Sequence, residues 1–78
     1  MDMEKEMERW KATAEIFLKK NIKVYIRDLS DNIYFGDILF VGEDTLTIQC
    51  FAPEQRAGEK IVLYWTLINK FEEFRSGV

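Results

Sequence analysis

The run Tyr34-Phe35-Gly36-Asp37-Ile38-Leu39-Phe40-Val41 constrains this chain more than any other segment, because it sets a glycine between aromatics in an apolar stretch. Glycine inside a strand costs stability unless the chain bends sharply there or another backbone approaches closely. A sharp bend predicts a small, strongly curved β-barrel. The surrounding residues 22–74 read as five short strands behind one amphipathic helix. Small barrels of this kind bind more often than they catalyse.

The helix is expected over about residues 2–20. Met3, Met7, Trp10, Ala14, Phe17 and Leu18 recur at spacings of three and four, lining one face. Asp2 can cap its start, Glu4 and Glu6 lie in its first turns, and Lys19-Lys20 lie in its last, as the helix dipole favours. Asn21 suits a left-handed stop. Ile22 to Arg27 alternates with period two as a first strand. A turn at Ser30-Asp31-Asn32 leads into a second strand, Ile33 to Val41. Gly42-Glu43-Asp44 turns into a third, Asp44 to Phe51. An exposed loop with the only proline, Pro53, separates it from a fourth, Lys60 to Trp65. Thr66 to Asn69 connects to a fifth, Lys70 to Phe74, and a short tail follows.

Seventy-eight residues make one domain, and a chain this short commonly needs extra support. Cys50 is the only cysteine and there is no histidine, so neither an intrachain disulfide nor a usual zinc site is expected. Self-association is the support that remains. The charged start, Met1-Asp2-Met3-Glu4-Lys5-Glu6, does not read as a signal peptide. No apolar run approaches the ~20 residues of a membrane span. A lone thiol agrees with a reducing compartment, so a cytoplasmic location is expected.

Charge is unevenly placed along the chain. Lys19, Lys20, Lys23 and Arg27 form a basic stretch without acids, and Asp28, Asp31, Asp37, Glu43 and Asp44 follow without bases. Only the first stretch offers a basic face to nucleic acid. Most of the acids fall in turns, where short polar side chains cap the backbone. No phosphate loop or dinucleotide fingerprint occurs, and Cys50 has no imidazole to activate it. No enzyme, metal site or cofactor is expected.

The order of helix, three bent strands, variable loop, strand, one-turn connector and short strand resembles the Sm-like superfamily of Sm, LSm and Hfq proteins. Asn21-Ile22-Lys23-Val24-Tyr25-Ile26 is similar to that family's first strand. Gly36-Asp37-Ile38 resembles its first motif, and Tyr64-Trp65-Thr66-Leu67-Ile68 stands where its second motif stands. The resemblance implies an SH3-type five-stranded barrel. It also implies a cyclic homo-oligomer of five to seven subunits, in which the fourth strand of one protomer pairs with the fifth of the next. Ile61, Val62, Leu63, Tyr64, Phe71 and Phe74 would then lie at the subunit interface.

The resemblance further implies single-stranded RNA as a partner, in RNA processing or regulation. This chain departs from the family's nucleotide pocket in two ways. Its second turn, Glu43 to Thr47, lacks a stacking aromatic, and Trp65-Thr66 replace the lysine and histidine of Hfq. Trp65 either stacks a base, with Thr47 and Thr66 at the base edge and Tyr64 alongside, or packs in the subunit interface. Lys19, Lys20, Lys23 and Arg27 either contact phosphates or form an ordinary solvated helix end. Tyr25 and Tyr34 either stack bases or pack across strands. The alternative function is a structural or protein-interaction ring that has lost nucleic-acid binding.

Overall fold

The structure, a computed structural model, describes residues 3–75; the expected Asp2 cap and the end of the tail lie outside them. One helix, α1 (Met3–Lys20), precedes five strands: β1 (Lys23–Asp28), β2 (Ile33–Val41), β3 (Thr45–Ala52), β4 (Lys60–Tyr64) and β5 (Ile68–Glu73). α1 has Glu4 and Glu6 in its first turn and Lys19 and Lys20 in its last, which suits the dipole. It stops at Asn21, whose φ of 57° is left-handed. A 3₁₀ turn, Glu54–Arg56, lies in the loop before β4, and a second, Trp65–Leu67, links β4 to β5.

All five strands form one antiparallel sheet in the order β4-β3-β2-β1-β5. Among the described residues the expected barrel does not close, because β4 pairs only with β3 and β5 only with β1. The helix covers the core instead. Ala14 is fully buried, Met7, Trp10 and Phe17 pack against the core, and the Phe17 ring stacks on Phe71 at 6.0 Å. Leu18, expected on that stripe, is exposed. It lies one residue, about 100° of turn, beyond the core-facing Phe17.

Alternation places Val24, Ile26, Ile38, Leu46, Ile48 and Cys50 inside the sheet. Gly36 is needed for a close approach. A Cβ there would lie 2.6 Å from the Gln49 carbonyl oxygen and 3.2 Å from the Cys50 Cα. The β2–β3 register shifts at this point, between Phe35 and Gly36, and again between Ile38 and Phe40. Such irregularities bend a strand and increase its twist.

The β1–β2 turn is held by one side chain. The Asp28 carboxylate accepts hydrogen bonds from the backbone N–H groups of Ser30 and Asn32, from the Asn32 amide and from the Tyr34 hydroxyl. Burial works against its charge, but these donors prevail and hold its pKa below the usual aspartate value.

Candidate functional site

Period-two alternation decides which candidate side chains face away from the core. On β1 these are Lys23, Tyr25 and Arg27, alternating with buried Val24 and Ile26. Lys23 is already engaged: its ammonium lies 2.9 Å from the Asp37 carboxylate and 5.0 Å from the centre of the Phe51 ring. Among the described residues Arg27 makes no ion pair, and its buried Nε has no hydrogen-bond partner. Directly across the ladder from Arg27 stands Lys70. Lys19 and Lys20 are exposed at the end of α1.

Tyr25 faces outward into an aromatic cluster with Phe35, Phe51 and Phe74, with ring centres 5.1–6.4 Å apart. Next to it, a shallow concavity of about 560 Å³ is lined by Tyr25, Phe35, Glu72, Glu73, Phe74 and Arg75. Tyr34, by contrast, points inward and cannot offer a stacking face. Its hydroxyl donates to Asp28, and the Arg56 guanidinium lies 4.9 Å from its ring centre. Burial and the neighbouring Asp28 charge push its phenol pKa up.

The second-motif residues lie at one end of the sheet. Tyr64 and Thr66 are exposed, but Trp65 is only 2% exposed. Its indole N–H donates to the Gly42 carbonyl at 3.0 Å, its backbone N–H donates to the Asp44 carbonyl at 3.1 Å, and its ring meets Phe71 edge-on at 6.0 Å. A ring enclosed in its own protomer neither stacks a base nor packs against a neighbour, so both expectations for Trp65 are corrected. The indole instead ties the β2–β3 turn to the β4–β5 connector.

Those two loops border a cleft of about 300 Å³, lined by Met7, Lys11, Glu43, Asp44, Tyr64, Trp65 and Thr66. The structure brings Tyr64, Trp65 and Thr66 together there. Thr47 lies outside it, on the outward face of β3 opposite Val62. Lys11 was missed by the sequence reading. It stands four residues after Met7, on the flank of the apolar stripe, and that spacing was the available signal. Its ammonium also lies 3.4 Å from Glu8. The cleft therefore carries one cation against two turn carboxylates.

The interface candidates separate in the same way. Leu63 and Phe71 are buried in the protomer's own core, Ile61 packs against it, and Phe74 belongs to the outer aromatic cluster. Val62 and Tyr64 stand out from β4 at 59% and 56% exposure.

Cys50 is buried and unpaired, and burial pushes its thiol pKa up, away from reactivity. Among the described residues no three histidine, cysteine or carboxylate side chains gather to hold a metal ion. No helix among them is long and apolar enough to cross a membrane. Compared with known proteins, the chain matches no family model, no curated protein and no solved structure.

Proposed function

We propose that this chain is an Sm-like protein that assembles into a homo-oligomeric ring of five to seven subunits and binds single-stranded RNA. The observation that carries the reading is the strand order β4-β3-β2-β1-β5 with β4 and β5 both left as edges. Unprotected edges invite strand pairing. A head-to-tail contact between two different surfaces gives a ring where its rotation closes. Val62 and Tyr64 give β4 apolar, exposed side chains, with Lys60 at its start as the strand's one charge.

RNA binding draws on different residues. Lys19 and Lys20 are exposed at the helix end, and Lys11 joins Tyr64 and Thr66 in the cleft. These groups suit backbone phosphates and an exposed base better than they suit the family's usual enclosed pocket. The reading is of a binding module rather than an enzyme, placed in the cytoplasm where a lone thiol stays reduced.

A specific observation favours a second reading, a ring that serves structure or protein contact alone. Trp65 is enclosed, Lys23 is engaged by Asp37, and Glu43 and Asp44 bring carboxylates to the cleft. Fluorescence anisotropy with labelled U-rich and A-rich oligonucleotides separates the two. The RNA reading expects an affinity that falls steeply with salt, and about tenfold weaker binding for Lys19→Glu/Lys20→Glu. Absent or salt-independent binding leaves the structural ring.

A further inference from the structure

The two open edges of the sheet carry opposite charge patterns. At the start of β4 stands Lys60, and beyond its end lie Glu43 and Asp44. The second of these is held beside β4 by the Trp65 N–H bond to the Asp44 carbonyl. β5 has the reverse order, with Lys70, opposite Arg27 of β1, ahead of Glu72 and Glu73 at its end. We propose that these four groups form a charge clamp between copies of this chain. In it Lys60 of one protomer enters the acidic, aromatic-lined notch at the end of the next protomer's β5, while Glu43 and Asp44 meet its Arg27–Lys70 pair. The inference rests on the ring reading and deepens it by fixing how the edges align.

The direction of pairing follows from the charges. Every ladder in the sheet is antiparallel, and an antiparallel junction sets the start of β4 against the end of β5. Both ends then pair opposite charges. A parallel junction would set Lys60 against Arg27 and Lys70, and the turn carboxylates against Glu72 and Glu73. Like charges in contact repel and so exclude the wrong partner or register.

The protomer itself leaves these groups short of partners. Lys60, Glu43, Asp44, Glu73 and Arg27 make no ion pair among the described residues, and Lys70 reaches only Glu72, at 3.7 Å on the exposed surface. Arg27 and Lys70 stand directly opposite each other in the β1–β5 ladder, which is unfavourable for like charges. A neighbour's carboxylates relieve that repulsion. At the other end, the notch offers the faces of Tyr25, Phe35 and Phe74 beside Glu72, Glu73 and Arg75, where two carboxylates against one cation still suit an ammonium group. The exposed Val62 and Tyr64 supply apolar contact between the two clamps.

The test is sedimentation and light scattering of the full chain across a dilution series. The wild type is expected to assemble, Lys60→Glu to raise the concentration at which it dissociates about tenfold, and Lys60→Glu/Glu72→Lys/Glu73→Lys to restore it. Glu43→Lys/Asp44→Lys, at an exposed turn, provides an independent probe should Lys60→Glu misfold by circular dichroism. It is expected to weaken assembly in the same way, with rescue by Lys70→Glu. A wild-type assembly that neither reversal weakens overturns the clamp and leaves the ring. A wild-type monomer at every concentration overturns both. RNA binding does not enter this readout.

Discussion

The indole N–H of Trp65 donates to the Gly42 carbonyl across 3.0 Å, so the turn after β2 and the connector after β4 share one buried ring. Removing only the donor tests that role. Trp65→Phe keeps most of the ring but leaves the Gly42 carbonyl unpaired, and is expected to cost about 1–3 kcal/mol in denaturant unfolding. Trp65→Ala, which also opens a cavity, is expected to cost about 3–5 kcal/mol. Unchanged stability in Trp65→Phe would mean that the indole N–H does not hold the Gly42 carbonyl.

Gly36 is expected to be intolerant of any side chain. An added Cβ would meet the Gln49 carbonyl oxygen, a backbone atom that no rotamer change can move. Gly36→Ala should therefore lower stability by about 1–3 kcal/mol, read from the denaturant midpoint. A midpoint equal to wild type would mean that β2 and β3 are not held this closely.

Asp28 gives stability a definite pH dependence. Its pKa is lowered in the folded chain by hydrogen bonds from Asn32, Ser30 and Tyr34 that outweigh its burial. The stability it supplies is thus fully present above the unfolded value, about 4. It is lost as pH falls through the lowered folded value. Denaturant titrations should show the wild type losing stability on acidification below about pH 4. Asp28→Asn should be weaker at neutral pH and lose less over the same acid range. Parallel profiles for the two proteins would contradict the turn's electrostatics.

These residues also show how far the sequence could be read. The element order was legible, and the bounds of β2 and the left-handed stop at Asn21 follow from local chemistry: alternation, a breaker and a tolerated positive φ. The reason for Gly36 was legible only as a choice between bend and close approach, and the structure shows the close approach. Whether the sheet closes depends on contacts between distant segments, which alternation along one strand does not encode. Trp65 was misread because it follows the last residue of β4, where the 3₁₀ turn ends the period-two rule that assigns a face. At Tyr34 an outward and an inward ring look alike in sequence, and the Asp28 partner of its hydroxyl is what distinguishes them. Lys11 escaped because its cleft is assembled from the helix and two loops far apart in sequence.

A charge on the β4 edge should interfere with pairing without harming the protomer. Val62 is exposed, so Val62→Lys is expected to keep the wild-type circular dichroism spectrum while shifting native mass toward smaller species. Unchanged mass with an intact fold would mean that β4 is not an assembly edge.

The native mass of the full chain, measured by light scattering with and without a U-rich or A-rich oligonucleotide, tests the central claim most directly. The account predicts a particle of five to seven times the 9.3 kDa chain mass that gains the oligonucleotide's mass at low salt. A 9.3 kDa monomer that ignores the oligonucleotide at every concentration would contradict it.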